Sequence, residues 1–200
     1  MYLTGSGFVG DSADFFWNQP RDGHQYASIL GTLLTPFSRG NVTLRSADTA
    51  DLPVINPNWL ADPADQELAV AIFKRTRQFF ESKAMANVLD GGEYYPGSDV
   101  QSDEEILEYI RNTMSPIWHA SCTCKMGVSS DPMAVVDHQA RVFGVQGLRV
   151  VDASVFPMLP PGHPSSVVCK FPPVDRWACV DGEIDMLAEK ISDAIIQSRR

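Results

Sequence analysis

The sequence predicts an α+β fold, an antiparallel sheet with packed helices, on three observations. Short β-type segments precede two amphipathic helices with clear start signals, and a further helical segment lies near residue 190. The composition is typical of a globular protein, because 44% of the 200 residues are hydrophobic and 20% are charged. A chain of this length can form one domain, or two small ones, around a buried core.

The first β elements are predicted between residues 26 and 45. The apolar run 26–34 predicts a buried strand, and residues 41–45 alternate apolar and polar side chains as a second strand does. Residues 35–40 (TPFSRG) between them are typical of a turn. We therefore expect these two strands to pair antiparallel.

The helices have recognisable boundaries. Asp62 is a favourable N-cap and Pro63 suits the first helical position, so a helix is predicted over 63–83. A second helix begins with the capping box Ser102-x-x-Glu105, and a last one is predicted over 186–197. The apolar residues expected to face the core from the first two are Leu68, Ile72, Phe73, Phe79, Phe80, Ile106, Leu107 and Ile110.

Charge and hydropathy exclude several classes of function. The net charge of −9 argues against a nucleic-acid partner, since no basic patch could neutralise phosphates. No apolar stretch approaches the ~20 residues that a membrane-spanning helix needs. The first residues lack the basic and apolar regions of a secretory signal.

Residues 5–10 (GSGFVG) match the G-x-G-x-x-G dinucleotide fingerprint, but their context does not fit it. The fingerprint binds pyrophosphate only where a buried strand precedes it and a helix follows. Here four residues precede it, and Asp11 and Asp14 follow where phosphate would lie. We interpret the segment as a glycine loop.

The second half of the chain contains an ordered set of motifs. They are residues 118–127 (WHASCTCKMG), 135–137 (VVD), 141–154 (RVFGVQGLRVVDAS) and 161–164 (PGHP). This set resembles the C-terminal region of the glucose–methanol–choline oxidoreductases, which are FAD-dependent alcohol oxidases and dehydrogenases. Residues 35–41 (TPFSRGN) and the helix after Asp62 resemble the substrate domain of that family.

Two histidines suit alcohol oxidation. The reaction removes a proton from oxygen and a hydride from carbon, and imidazole titrates near neutral pH. A second imidazole can hydrogen-bond the same oxygen as charge develops on it. The resemblance implies that His119 and His163 are this catalytic pair, facing the flavin and a small-molecule alcohol. We assign the proton to His163 and the partner role to His119; the family also uses the reverse arrangement.

The resemblance also implies the residues that contact FAD. Asp152 and Ala153 match the segment near the ribityl chain and pyrophosphate. Pro164 and Ser165 are further implied cofactor contacts: Pro164 suits the first position of a helix, whose free N–H groups at Ser165 and Ser166 would face the flavin ring. Trp118 would pack beside the isoalloxazine. The structural alternatives are a small residue in a tight turn at Ala153 and a core indole at Trp118.

The match corresponds to roughly the C-terminal third of a family member. Residues 1–115 are predicted to belong to the substrate-binding domain, and residues 116–200 to the catalytic loops and the C-terminal part of the FAD domain. In that part, residues 148–151 are predicted to form a short buried strand, which with the last helix would be a partial piece of a doubly wound FAD-binding sheet. The family's FAD fingerprint lies in an earlier region, so the expected partner is a missing N-terminal FAD-domain segment. Weak or absent FAD binding is expected from this chain alone. The alternative is a truncated, non-catalytic product.

Residues 169–185 are predicted to be an extra, unstructured insertion. In the family the helix after the G-H-P loop is continuous, whereas Pro172 and Pro173 would break it here, at about 3 kcal/mol each. We interpret this segment as a translated intron. A third hypothesis, a metal site formed by His119, Cys122, Cys124 and His138, lacks the spacing of paired zinc ligands.

Overall fold

The computed structural model describes residues 2–4, 22–159 and 182–198, with the backbone alone for 2–4 and 182–185. Two compact units make up the chain, Met1–Pro116 and Ile117–Arg200. The elements are β1 (Tyr2–Thr4), β2 (Ser28–Leu30), β3 (Asn41–Thr43), β4 (Val54–Asn56), α1 (Pro63–Phe80), α2 (Asp103–Thr113), a 3-10 turn (Ala153–Val155) and α3 (Gly182–Gln197). The α+β class is confirmed.

The strands form two separate antiparallel pairs. β1 pairs with β2, with Leu3 opposite Ile29, and β3 pairs with β4, with Val42 opposite Ile55. The predicted pairing of 26–34 with 41–45 is therefore wrong, and so is the burial of the first strand, because β2 is half-buried to exposed. β2 pairs with an earlier segment and β3 with a later one, so the TPFSRG segment does not connect two paired strands.

Gly40 explains how the end of the TPFSRG segment approaches β4. A Cβ atom built on Gly40 would lie 2.2 Å from the carbonyl oxygen of Asn56 and 2.7 Å from that of Pro57. No real side chain tolerates such distances to backbone atoms. The glycine is therefore required for close approach of the two backbones at the start of β3.

Helix α1 begins as predicted and ends earlier. The Asp62 side chain accepts a hydrogen bond from the N–H of Ala64, and Pro63 occupies the first turn. The helix ends at Phe80, three residues before the predicted boundary at residue 83. Most of the predicted apolar side chains are half-buried. Leu68 is 44% exposed, and the buried residues of the helix are instead Asp65 and Val70.

Helix α2 packs against α1. Its capping box is confirmed: the Ser102 side chain accepts from the N–H of Glu105, whose carboxylate accepts from the N–H of Ser102. Ile106 is 1% exposed, and burial of such a side chain contributes about 2 kcal/mol. Phe73 of α1 meets Tyr109 of α2 edge to face, with ring centroids 5.5 Å apart.

A buried carboxylate fixes the TPFSRG segment on α1. Asp65 is 1% exposed and accepts hydrogen bonds from the N–H groups of Phe37 (2.8 Å) and Ser38 (2.7 Å) and from the Ser38 hydroxyl (2.5 Å). The Ser38 hydroxyl oxygen in turn accepts from the N–H of Asp62 at 3.0 Å. This network ties the N-terminus of the helix to the loop before β3.

The described part of the second unit before α3 consists mainly of loops around a small core. The buried apolar side chains among the described residues of the unit are those of Val136, Ala140, Val155 and Ile191. The strand predicted at 148–151 is wrong: Leu148 is 49% exposed, and Arg149 forms only an isolated bridge with Arg141. A parallel strand needs neighbours on both sides and cover on both faces, and the described residues of this unit provide neither.

Helix α3 begins at Gly182, four residues before the predicted start. Residues 182–185 of the predicted insertion are therefore helical, and the rest of that insertion lies outside the described residues. The glycine loop at 5–10 also lies outside them. Among the described residues, no helix is long and apolar enough to cross a membrane.

Replacing Asp65 by Asn should destabilise the first unit. The amide keeps one acceptor oxygen but turns N–H donors toward the donors of residues 37 and 38, which costs about 2 kcal/mol. The matched control is Glu67→Gln on the exposed side of the same helix, expected to change the free energy of unfolding by less than about 0.5 kcal/mol. Urea unfolding of both variants measures the difference; equal losses would contradict the role of Asp65.

Acid should remove the advantage of Asp65. Burial alone would raise its pKa, but hydrogen bonds from Ser38 and Phe37, with the charge of Arg39, outweigh burial and hold the pKa below its usual value of 3.8. As the pH falls, the Asp65 carboxylate of the unfolded chain therefore binds a proton at a higher pH than that of the folded chain. The stabilisation from the ionised carboxylate is complete above the pKa of the unfolded chain. We expect the difference in the free energy of unfolding between wild type and Asp65→Asn to shrink as the pH falls through the pKa of Asp65 in the folded chain. Urea unfolding at several pH values measures it, and a difference that does not change with pH would contradict this expectation.

Candidate active site

The loop that carries His119 has an unusual backbone. Trp118 and Cys122, on either side of His119, have φ angles of 58° and 69°, in the left-handed region that favours glycine. His119 is half-buried, whereas the Trp118 side chain is 72% exposed. Backbone of this kind is strained and persists only where surrounding contacts hold it in place. Such residues are frequent at functional sites.

Three main-chain hydrogen bonds hold this loop on the 3-10 turn. The N–H groups of residues 122, 124 and 126 donate to the carbonyl oxygens of residues 153, 154 and 155, at 3.2, 2.9 and 2.8 Å. Val155 is 1% exposed, so the last of these bonds lies next to the core of the unit. The segment after His119 and the segment after Asp152 therefore form one local structure.

Asp152 shapes the start of that turn. Its side chain accepts a hydrogen bond of 2.7 Å from the N–H of Ser154, as an N-cap does. The carboxylate is exposed, and Ala153 is half-buried. As the first residue of the turn, Ala153 has an N–H with no partner inside the 3-10 helix.

The loop after the histidine is also fixed at its other end. Lys125 forms an ion pair of 2.6 Å with Asp131, which holds the pKa of Asp131 below its usual value. The Lys125 carbonyl oxygen accepts from the N–H of Val135 at 2.8 Å. Gly127 packs so closely that a Cβ atom there would lie 2.8 Å from that of Ala134.

Asp137 organises the next loop. Its carboxylate accepts from the N–H groups of Gln139 (2.8 Å) and Arg141 (2.9 Å) and from the Arg141 guanidinium (3.0 Å). Burial would raise the pKa of Asp137, but these hydrogen bonds outweigh it and lower the pKa. The Arg149 side chain donates to the Gln139 carbonyl oxygen at 3.1 Å. This hydrogen bond joins the two ends of the loop 139–149.

Comparisons with known proteins identify the family of this chain. A family model described as GMC oxidoreductase matches residues 36–170. The chain belongs to the GMC oxidoreductase family. Patulin synthase of Penicillium expansum is 55% identical over 84% of this chain, and versicolorin B synthase of Aspergillus parasiticus is 52% identical over 74% of it. The chain spans 27% and 23% of the length of these two relatives.

Solved structures of the family have the same fold. An FAD-dependent oxidoreductase from Chaetomium thermophilum superposes with a TM-score of 0.67 at 31% identity, over 84% of this chain and 26% of that one. A fungal aryl-alcohol oxidase gives a TM-score of 0.63 at 32% identity, over 83% of this chain and 24% of that one. Both proteins are oxidoreductases.

The structure brings some of the predicted site residues into one unit. The loop of Trp118 and His119 is joined by its next residues to the turn of Asp152 and Ala153. The other predicted residues, His163, Pro164 and Ser165, lie outside the described residues. Within the described ranges, no three His, Cys, Asp or Glu side chains are grouped as a metal site requires.

The residues that fix the loops after His119 are not candidate site residues of the sequence motifs. In the sequence, Asp137 is only the last residue of the VVD motif, and the motifs do not pair Lys125 with Asp131. A local signal existed for Asp137, since an Asp followed by residues whose N–H groups can reach its carboxylate favours this type of turn. The partner of Lys125 depends on how the loop folds back, which has no such local signal.

Replacing Asp137 by Asn should destabilise the second unit by about 1–3 kcal/mol, because two N–H groups and a guanidinium lose their charged acceptor. Glu189→Gln on the exposed surface of α3 is the control that removes one charge from the same unit. Thermal unfolding by circular dichroism compares the two variants. Equal melting temperatures for them would show that the Asp137 contacts contribute nothing.

Proposed function

We propose that this chain is the substrate-side and catalytic-loop part of an FAD-dependent oxidoreductase that oxidises the CH–OH group of a small-molecule alcohol. The observation that carries this proposal is the joining of residues 122–126 to residues 153–155 by three main-chain hydrogen bonds. These bonds support the proposal, because they join the segment that follows the predicted catalytic histidine to the turn of the predicted cofactor contacts. Family membership supports the chemistry.

The described residues fit FAD. Trp118 offers an exposed indole face on which a flat, largely apolar ring can pack. The small side chain of Ala153 lets an anionic oxygen approach its N–H, and the exposed Asp152 carboxylate can accept hydrogen bonds from hydroxyl groups. When bound, FAD would accept the hydride removed from the alcohol carbon.

We assign the proton chemistry to the two histidines. His163 accepts the proton of the alcohol hydroxyl, and His119 donates a hydrogen bond to the same oxygen and positions it. The backbone around His119 supports this role, because three hydrogen bonds and the Lys125–Asp131 ion pair limit the movement of the loop that follows it. Orientation of this kind lowers the entropy cost of the reaction.

We propose a secondary-metabolite alcohol as the substrate. The relatives include proteins named patulin synthase and versicolorin B synthase. The net charge of −9 makes a nucleic-acid partner unfavourable and does not oppose an uncharged alcohol. No membrane partner is part of the proposal.

The 200-residue chain by itself should retain little FAD. Leu148 precedes the predicted FAD contact Asp152 in the sequence, and its apolar side chain is half exposed. The strand predicted at 148–151 is reduced to an isolated bridge between Arg149 and Arg141. We therefore propose that residues of another segment complete the site. The flavin absorbance of the purified chain, before and after incubation with FAD, measures retention. A stoichiometric yellow protein would contradict this expectation.

The histidine assignment is tested in a chimera that joins this chain to the preceding part of Penicillium expansum patulin synthase. Turnover of a panel of aryl and aliphatic alcohols is followed with a redox dye at equal flavin content. His119→Ala and His163→Ala should each lower kcat/KM by about 10²–10⁴. His138→Ala, an exposed histidine of the same unit, is the control. Equal activity of all three variants would remove both histidines from the mechanism.

A further inference from the structure

Two thiols lie in the loop immediately after His119. Cys122 and Cys124 are both free and half-buried, and a single residue separates them. The proposed oxidation of an alcohol does not use either thiol. Their position is specific, because they belong to the segment that is hydrogen-bonded to the 3-10 turn.

The chain geometry brings these cysteines within reach of each other. Two residues of extended chain span at most about 7 Å, so the two Cα atoms cannot be farther apart than that. Disulfides form at Cα separations of about 4.4–6.8 Å. Residues 123 and 124 form a turn, which shortens the separation from the extended limit. The spacing therefore permits a disulfide within the loop.

The backbone around the thiols is fixed but not relaxed. The N–H groups of Cys122 and Cys124 donate to consecutive carbonyl oxygens, those of Ala153 and Ser154. Cys122 has a φ of 69°, which is costly for a residue with a Cβ atom, by about 1–2 kcal/mol. Its sulfur lies 3.5 Å from the Ser121 hydroxyl oxygen. A change that moves Cys122 can release this strain.

We propose that Cys122 and Cys124 are a redox-sensitive dithiol that hydrogen peroxide converts to a disulfide within the loop. One thiol releases its proton, the thiolate attacks a peroxide oxygen and the O–O bond breaks; a sulfenic acid forms, and the leaving hydroxide takes up the released proton to give water. The second thiol then attacks the sulfenic sulfur, the S–S bond forms, the S–O bond breaks, and a second water leaves. The two thiols lose two electrons, and the peroxide gains them.

This disulfide is reversible and acts on the His119 loop. A ring closed across one intervening residue is strained, and strained or exposed disulfides are the labile ones that thiols reduce readily. The S–S bond holds the two sulfur atoms about 2 Å apart, so we expect the backbone to adjust and the hydrogen bonds from Cys122 and Cys124 to Ala153 and Ser154 to weaken on closure. Peroxide therefore changes the backbone three residues after the predicted catalytic histidine.

The test uses the full chain with Cys169→Ser and Cys179→Ser, so that Cys122 and Cys124 are the remaining thiols. The protein is treated with hydrogen peroxide, blocked with N-ethylmaleimide, digested with trypsin and analysed by mass spectrometry. Residues 112–125 form one tryptic peptide that contains both cysteines. We expect it to lose two hydrogen atoms, to carry no maleimide, and to regain both thiols with dithiothreitol. Peptide mapping of the wild-type chain should give the same result.

Adding Cys122→Ser or Cys124→Ser to that background provides the control. Each variant should lose the two-hydrogen change and instead form a sulfenic acid that dimedone traps. Two maleimide adducts on the peroxide-treated peptide, or conversion to sulfinic acid without a disulfide, would overturn the proposal. Amide hydrogen exchange of residues 120–126 should be faster in the oxidised protein; unchanged exchange would overturn the coupling to the His119 loop.

Discussion

Three main-chain hydrogen bonds between residues 122–126 and 153–155 hold the candidate site together. They connect two segments about thirty residues apart in a unit that has little regular secondary structure. Because loops of this kind have high conformational entropy, such bonds and a small buried core must fix them. Val136 and Val155 supply that core, and the ion pairs of Lys125 and Arg141 close the loops at the surface.

The first unit is held by a different device with the same purpose. The buried carboxylate of Asp65 accepts three hydrogen bonds from residues 37 and 38, so an irregular segment is fixed on the N-terminal turn of a helix. A carboxylate at this position also interacts favourably with the helix dipole. In both units, therefore, polar side chains position loops that a small apolar core could not fix alone.

The redox-sensitive thiols and the proposed alcohol chemistry share one loop. The backbone around His119 includes two residues in the left-handed region, and the neighbouring hydrogen bonds hold them there. If this backbone changes conformation, release of its strain offsets part of the hydrogen bonding that is lost. A covalent change at Cys122 and Cys124 can therefore act on the same backbone that positions the histidine.

The sequence by itself determined the α+β class, the starts of α1 and α2 and the family, because caps, helical periodicity and ordered motifs are local signals. Strand pairing, the exposure of Leu68 and the single bridge at Arg149 depended on tertiary structure, since pairing partners and buried faces are set by residues distant in the chain. The same reason explains the burial of Asp65. Its place in the first turn of α1 follows from the local helix-start signal, but its side chain is buried by contacts with a loop 27 residues earlier. The assignments of His119, Trp118, Asp152 and Ala153 rest on motifs, and folding supplied the hydrogen bonds that join their loops.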